Sequence, residues 1–397
     1  MENIFFHIDV NSAFLSWTAI DQLNHGETTD LRTIPAIIGG DTSKRHGVVL
    51  AKSIPAKAFD IHTGEPVVDA VRKCPGLTIS APDHELYRRQ SHALMKFLSD
   101  ICPDIEQVSV DECYMDFTPI AYRYPDPVTA AGQIKDSVRD TFGFTVNIGI
   151  SDRKVLAKMA SDFKKPDLVH TLFHTEIRQK MWLLPVSSLF LCGRSSVEVL
   201  HNLGILTIGD LAQADESIIV SHLKSHGRIL WEFANGIDAS AVETTRMDAK
   251  GVGNSTTMTK DAVSLEEINT VLLSLSESVA VRLRRANVRA SMVSVEIKYN
   301  TFQSVSHQTT LATPSDSSSQ LYQTACRLAA EIWDGTPVRL LGIRTSKLVD
   351  ASAPVQMSIF DLPQQKTSHD LEAALDSIRK KYGDDAVVRG SLLRKPK

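Results

Sequence analysis

Short apolar runs alternate with longer amphipathic segments in the first half of the chain. Ile4 to Ile8 is a short apolar run that contains His7, and it predicts a buried strand that stops at Asp9. Apolar positions spaced three and four apart predict helices at 13–23, 84–101 and 127–141, and alternation predicts a strand at 146–150. Strands and helices in this order predict an α+β sheet with its helices on one face.

Two β-prone runs in this half of the chain predict a hairpin. Ile105–Val110 and Cys113–Phe117 are short, and they meet at the acidic dipeptide Asp111–Glu112. We therefore expect the turn of this hairpin to carry both carboxylates.

The second half of the chain predicts a helical region, a linker and a further α+β unit. The predicted elements are an all-helical region at 176–237, a polar linker within 238–260, a helix that begins at the capping box Ser264–Glu267, a half-buried strand at 293–299, a helix at 319–333, a strand at 338–348 and a tail helix at 369–382. No internal repeat of fixed period is visible.

Length and composition restrict the class of protein. The chain has 397 residues, of which 43% are hydrophobic and 23% charged, so two to four soluble domains are expected. No apolar run approaches the roughly 20 residues that cross a membrane, so no membrane partner is expected. The five cysteines have no C-x-x-C spacing, and no export signal precedes them. We expect reduced thiols and a cytoplasmic location.

Local charge is more informative than the net charge of −4. Residues 281–300 and residues 151–166 are both rich in Lys and Arg; the basic residues of the first segment are Arg282, Arg284, Arg285, Arg289 and Lys298. A solvated protein face is the simpler interpretation of either segment alone. Two such segments together with an acidic pair elsewhere favour a nucleic-acid partner.

Three carboxylates stand at the ends of predicted strands: Asp9, Asp111 and Glu112. If these strands are neighbours, the acids converge and repel one another, which calls for divalent cations. Mg²⁺ fits because it takes hard oxygen ligands and leaves positions for phosphate oxygens. Two ions can assist an in-line phosphoryl displacement. The alternative from spacing alone is that the three acids occupy ordinary turns.

Three segments resemble the signature blocks of the Y-family, lesion-bypass DNA polymerases. They are Phe6–Phe14 (FHIDVNSAF), Ser109–Asp116 (SVDECYMD) and Asn147–Asp162 (NIGISDRKVLAKMASD). Their order and spacing match, and the resemblance extends over nearly the whole chain. It implies that Asp9, Asp111 and Glu112 are the catalytic, metal-binding acids, that the carbonyl of Val10 is a further ligand, and that two Mg²⁺ ions bind.

The resemblance also implies residues that contact the incoming deoxynucleoside triphosphate (dNTP). Phe14 falls where a bulky side chain lies beneath the sugar and would clash with a 2′-hydroxyl. Lys158 occupies a position at which the family contacts the triphosphate of the nucleotide. The family usually carries a tyrosine and an arginine in the finger segment, where this chain has Ile54 and Lys57. Lys57 keeps the charge, whereas Ile54 cannot form a hydrogen bond, so we expect weak nucleotide affinity or a compensating contact.

The fold implied by the resemblance is a multidomain α+β protein, the right-hand polymerase. Its expected parts are a palm (1–12 and 83–172), small fingers (13–82), an all-helical thumb (173–238), a linker (239–250), an α+β little finger (251–350) and a tail (351–397). Gly193 falls in a helix-hairpin-helix-like segment of the thumb. With the basic residues of 281–300, it is expected to contact the backbone of primer-template DNA.

The tail contains a segment that resembles a sliding-clamp-binding peptide. Gln356 would make the polar contact of this peptide with the clamp, and Ile359 and Phe360 would be its apolar anchors. We expect a monomer whose partners are primer-template DNA, dNTP and the bacterial sliding clamp. Two alternatives remain from sequence: a nucleotide cyclase with a palm-like sheet, and a non-catalytic, clamp-bound DNA-binding factor.

Overall fold

A computed structural model describes residues 3–40, 47–245, 249–353, 362–383, 386, 387 and 390. The chain divides into two units, residues 1–246 and residues 247–397, which are treated separately below. No helix in these described ranges combines the length and the apolarity needed to span a membrane.

The first unit is built around a five-stranded sheet with the strand order β5-β6-β1-β7-β8. Its strands are β1 (Phe5–Val10), β5 (Ile105–Gln107), β6 (Glu112–Asp116), β7 (Val146–Ser151) and β8 (Val169–Thr171). The helices near it are α1 (Ala13–Asn24), α4 (His84–Ile101), α5 (Pro127–Phe142) and α6 (Lys154–Ser161), with a 3-10 turn at Thr118–Arg123. Neighbouring strands are antiparallel except β7 and β8, which are parallel.

The two faces of this sheet are both covered by helices. Phe6 and Ile8 of β1 are fully buried in a core shared with α1, α4 and α5. The expectation of helices on one face only was wrong, because α6 packs against the opposite face at Gly149. A Cβ at Gly149 would lie 2.0 Å from the Ala157 carbonyl oxygen, so only glycine allows α6 to approach this closely.

A smaller three-stranded sheet with the order β3-β2-β4 lies between α1 and α4 in sequence. Its elements are β2 (Ala36–Gly39), β3 (Val49–Lys52), α2 (Ile54–Lys57), α3 (Val67–Lys73) and β4 (Thr78–Ser80). Ile37, Val49 and Val67 are completely buried and join the sheet to its helices. This segment therefore has its own small core.

Residues 174–234 are helical, as predicted. They comprise 3-10 turns at His174–Glu176 and Val186–Ser188, and the helices α7 (Ile177–Lys180), α8 (Arg194–Asn202), α9 (Ile208–Gln213) and α10 (Glu216–Ala234). Leu200, Ile208 and Leu230 are buried in their common core.

The second unit is a four-stranded antiparallel sheet with helices on one face. Its order is β11-β10-β12-β9, with β9 (Gly251–Ala262), β10 (Val288–Tyr299), β11 (Ser304–Ser315) and β12 (Val338–Asp350). Its helices are α11 (Leu265–Arg285), α12 (Ser318–Ile332) and α13 (Leu362–Tyr382). Val293, Val295 and Ile297 are fully buried against α11 and α12, while Ser294 and Glu296 point away, which confirms the predicted alternation.

Several boundaries differ from the sequence expectations. The polar stretch at 238–260 is not a linker throughout, because its second half forms β9. Strand β11 was missed altogether. Both strands lie at the edges of the sheet, where one face meets solvent and few apolar positions are needed, so neither has a clear hydrophobic period. The tail helix α13 begins earlier than predicted, at Leu362. The predicted clamp residues Gln356, Ile359 and Phe360 lie outside the described residues.

Candidate active site

Strand pairing brings the three predicted acids to one end of the five-stranded sheet. Asp9 of β1 is the direct cross-strand partner of Glu112, the first residue of β6. Asp111 lies immediately before that strand, and its carbonyl accepts a hydrogen bond from Val10 N–H at 3.0 Å. The predicted hairpin turn therefore carries Asp111, whereas Glu112 has already entered the strand.

Glu112 is held by two basic side chains. The Lys158 ammonium donates to Glu112 Oε2 at 2.7 Å, and His7 Nε2 lies 3.4 Å from the same oxygen. The hydrogen bond with His7 and the charge of Lys158 lower the pKa of Glu112 to about 2. His7 is buried, which lowers its own pKa, and its Nδ1 lies 2.9 Å from the hydroxyl of Ser161 on α6. Helix α6 thus fixes the orientation of Glu112.

Asp9 is held by a lysine that the sequence reasoning did not select. Lys165 Nζ lies 2.5 Å from Asp9 Oδ2 and 2.8 Å from Asp162 Oδ1. Burial opposes the charged form of Lys165, but the charges of Asp9 and Asp162 raise its pKa. Lys158 lies farther from Asp9, at 3.9 Å. The signal that could have identified Lys165 was its membership of the basic segment at 151–166.

Asp111 differs from the other two acids because no cation lies against it in the described part of the chain. Its Oδ1 accepts a hydrogen bond from the Ser109 hydroxyl at 2.6 Å. Burial raises the pKa of Asp111, and the negative charges of Asp9 and Glu112 raise it further. The three carboxylates are therefore close enough to destabilise one another's charge.

These residues fit a divalent-cation site, although their side chains are not arranged as one. Within the described residues, no three His, Cys, Asp or Glu side chains are gathered tightly enough to hold an ion. Each acid is turned toward a local partner instead. However, the single ammonium of Lys158 contacts oxygens of both Asp9 and Glu112, so the cluster already binds positive charge between its members. Mutually repelling carboxylates of this kind are suitable ligands for hard cations.

Phe14 lies beside the acids, on the first turns of α1. Its ring stacks on Tyr87 of α4, with centroids 4.2 Å apart and planes inclined by 6°. The Tyr87 hydroxyl lies 3.1 Å from the Thr18 hydroxyl, which holds the Tyr87 ring in place. Phe14 is thus a partly exposed ring with a rigid support behind it.

A cavity of about 350 Å³ joins the acids to the small three-stranded sheet. Asp9, Asp111, Phe14 and Lys57 are among the residues that line it. Ile54 is 56% exposed and lines a separate cavity of about 130 Å³. Two acids and the cations Lys57 and Lys165 therefore line one cavity.

The five basic residues predicted at 281–300 are not equivalent in the second unit. Arg284 is only 10% exposed, and its guanidinium binds Asp376 and Glu372 of α13 at 2.6 and 3.0 Å. Arg284 therefore anchors the tail helix, and the expectation of a DNA contact there needs correction. Arg282 donates to the Gly253 carbonyl at 3.1 Å, and Lys298 lies over the exposed ring of Phe302.

The face of the four-stranded sheet that lies away from the helices forms a broad trough, which the sequence did not reveal. Its volume is about 540 Å³, and its lining is mostly small and polar: Gly253, Ser255, Ser294, Ser304, Ser306 and Arg344. Small side chains allow another polymer to approach the backbone closely, and the trough carries one charge of each sign, from Arg344 and Glu296.

Gly193 precedes the first turn of α8 in the helical region. It is the N-cap residue and supplies no side-chain hydrogen bond, and a Cβ there would meet nothing within 4 Å. The space next to Gly193 is therefore open, and the phosphate contact expected there stays a prediction.

Comparison with known proteins gives matches over both units. The model of the impB/mucB/samB family matches residues 8–162, and the model of that family's C-terminal domain matches residues 249–359. A curated relative from Clostridium acetobutylicum, "DNA polymerase IV", is 44% identical and is aligned over 100% of this chain and 99% of its own length. "DNA polymerase IV 1" of Bacillus subtilis is 34% identical over 99% of this chain and 94% of its own length. A solved "Y-family DNA polymerase chimera" has a TM-score of 0.77 at 19% identity, covering 87% of this chain and 99% of that chain.

Proposed function

The chain belongs to the impB/mucB/samB family of lesion-bypass, Y-family DNA polymerases, and from that premise we propose how its candidate active site extends a DNA primer. It is a DNA-directed DNA polymerase that performs translesion synthesis. The primer 3′-hydroxyl attacks the α-phosphorus of a dNTP, and pyrophosphate leaves. The observation that supports this site is the placement of Asp9 directly opposite Glu112, with Asp111 adjacent.

The enzyme depends on divalent metal, as its family does. We assign two Mg²⁺ ions to the carboxylates of Asp9, Asp111 and Glu112 and to the carbonyl of Val10. Such ions favour the deprotonated primer hydroxyl and neutralise charge that develops on the phosphate. With His7 and Lys158 against it, Glu112 has a pKa of about 2 and is ionised at neutral pH, as a metal ligand must be.

The substrate contacts follow from the shape and charge of the cavity. The edge of Phe14, supported by Tyr87, closes the space that a ribose 2′-hydroxyl would need. Lys57 and Lys158 are assigned to the phosphates, and Lys165 joins them because it lines the same cavity. When a nucleotide enters, the ammonium groups of Lys158 and Lys165 can exchange carboxylate partners for phosphate oxygens.

We assign the binding of primer-template DNA to two surfaces. One is the start of α8 at Gly193. The other surface is in the second unit and consists of the polar trough on its sheet together with Arg282, Arg285, Arg289 and Lys298. Arg284 is not included, because its guanidinium is paired with two acids of α13. These contacts are to phosphates and would give sequence-independent, salt-sensitive binding.

The remaining assignments rest on sequence resemblance. They are the domain boundaries given above, a monomeric state, and binding of Gln356, Ile359 and Phe360 to the sliding clamp. The clamp contact would raise the effective concentration of DNA at the enzyme. Membership of a polymerase family argues against both alternatives, the nucleotide cyclase and the non-catalytic DNA-binding factor.

A primer-extension assay tests the proposed site directly. The purified chain, a labelled primer annealed to a longer template, the four dNTPs and Mg²⁺ should give products longer than the primer, and EDTA should abolish them. Extension that continues in excess EDTA would contradict the metal assignment. Absence of extension with intact DNA binding would support the non-catalytic alternative.

A further inference from the structure

Lys52 lines the cavity that joins the acids to the small sheet, and it has no assigned function in the candidate active site. It is the last residue of β3, in which Val49 and Ala51 are buried in the core. Leu50, Ala51 and Lys52 all line the cavity, so this end of β3 forms part of its wall. Lys52 therefore lines the same space as Lys57.

One of the three donors of the Lys52 ammonium is occupied. It donates to the carbonyl of Ile61, which fixes the end of the side chain. An ammonium has three N–H groups, so two remain for a ligand. Nearby Glu65 is already paired with Lys73 at 2.6 Å, and no carboxylate in the described part of the chain forms an ion pair with Lys52.

The surroundings of Lys52 hold two further lysines and two acids, because Lys57 and Lys73 as well as Glu65 and Asp60 act on its charge. Lys57 is near enough to repel it, and burial together with this repulsion lowers the pKa of Lys52, although Glu65 and Asp60 oppose the change. Lys57 has no ion-pair partner within the described residues. Two neighbouring lysines that line the same open cavity are stabilised by a bound anion.

The two residues that follow Lys52 cannot take that anion, and both line the smaller cavity of about 130 Å³ instead. The Ser53 hydroxyl donates to the Ile34 carbonyl and accepts from the N–H groups of Ala36 and Ala56, so it is fully used. Ile54 is apolar. Lys52, Lys57 and Thr63 are the donors of the finger segment that line the cavity, and Ser12 and Lys165 line it from outside that segment.

We infer that Lys52 acts with Lys57 as a two-lysine site for the terminal phosphates of the incoming nucleotide. This inference rests on the proposed polymerase site, because it takes the acids that line the same cavity as the place of the α-phosphorus. A polyphosphate that extends from the acids carries its β- and γ-phosphates away from them, toward the finger lysines. Lys52 then supplies the hydrogen-bond donor that Ile54 cannot supply.

Substitution of Lys52 in a complex that cannot react tests this inference. Lys52→Gln keeps a donor for the Ile61 carbonyl but removes the charge, and Lys52→Arg keeps both. With a dideoxy-terminated primer-template and Mg²⁺, the dissociation constants of the complementary dNTP, dNDP and dNMP are measured. Lys52→Gln should weaken dNTP binding about tenfold or more, dNDP less and dNMP less than about twofold, since one charge-assisted contact is lost. Lys52→Arg should stay within about threefold of the wild type.

The matched control is Arg72→Gln, which removes an exposed finger cation whose partner is Asp69 on the same helix. It should change none of the three constants. Equal weakening of dNTP and dNMP, unchanged dNTP binding in Lys52→Gln, or a loss confined to primer-template affinity would each overturn the inference. A wild-type complex that binds no dNTP at all would instead count against the proposed active site, so the two failures are distinguishable.

Discussion

Asp9 and Glu112 face each other across the β1–β6 pair, and the Lys158 ammonium lies 2.7 Å from an oxygen of Glu112 and 3.9 Å from one of Asp9. A lysine of α6 therefore stands where the two acids need a cation. Helix α6 can approach this face only because Gly149 of β7 has no side chain. Gly149 therefore allows Lys158 of α6 to reach the two acids.

Removal of the Phe14 ring should relax discrimination between sugars. Phe14→Ala opens space over Tyr87, so incorporation of ribonucleotides relative to deoxynucleotides should rise by about two orders of magnitude, the effect of roughly 3 kcal/mol in the transition state. Single-nucleotide insertion kinetics measure this ratio. Phe97→Ala is the control, because it removes a ring that packs on Phe142. An unchanged ratio in Phe14→Ala would remove Phe14 from this role.

A methyl group at Gly149 should displace α6. Its Cβ would lie 2.0 Å from the Ala157 carbonyl and 2.5 Å from the Ser161 amide nitrogen, so Gly149→Ala should lower the free energy of unfolding by about 3 kcal/mol. Urea denaturation followed by circular dichroism measures the change. Gly132→Ala, in α5 with open space around it, should instead be neutral or stabilise by about 0.5–1 kcal/mol. Equal effects of the two substitutions would contradict the close packing of α6.

Loss of the Arg284 guanidinium should destabilise the second unit. Arg284→Ala leaves Glu372 and Asp376 without their partner, which should cost about 3 kcal/mol in unfolding free energy. Arg327→Ala removes an exposed pair with Glu331 and should cost less than about 1 kcal/mol. Urea unfolding of both variants supplies the comparison. A loss of DNA affinity in Arg284→Ala without loss of stability would restore Arg284 to the DNA-binding surface.

Lys298 should contribute to DNA binding in a salt-dependent way. Lys298→Ala should weaken affinity for every duplex sequence alike and reduce the slope of log affinity against log salt concentration by about 1. Fluorescence anisotropy at several salt concentrations measures the slope. Lys96→Ala, on an exposed position of α4, is the control and should leave it unchanged. A sequence-dependent loss in Lys298→Ala would indicate base contacts instead.

The elements with a strong hydrophobic period could be predicted from the sequence, and the others could not. Helix α4 has the predicted bounds, His84–Ile101, because Asp83 caps its first turn and one apolar stripe continues throughout. Strands β9 and β11 lie at sheet edges, where Thr, Ser and Asn are accommodated on the exposed face. Their sequences are therefore as polar as those of loops. Packing of α6 on the second face of the sheet depends on one glycine and has no periodic signal.

The acids of the site could be placed from sequence, but the contacts between side chains could not. Apolar strands that end in Asp9 and Glu112 indicated convergence, and the strand register brings those residues together. The contacts of Lys165 with Asp9 and of Arg284 with α13 join residues that are far apart in the chain, so no local pattern encodes them. Lys52 could not be identified from the sequence either, because a single lysine in a short strand has no distinctive spacing.

The assignment of the acids to catalysis is tested most directly by primer extension with Asp111→Asn, measured as single-turnover insertion on DNA that the variant is shown to bind. Asn keeps the size of the side chain and removes the charge that a metal needs. We expect insertion to fall by at least about a thousandfold, equivalent to roughly 4 kcal/mol in the barrier, with primer-template affinity within about twofold of the wild type. Insertion at the wild-type rate in Asp111→Asn would contradict the account.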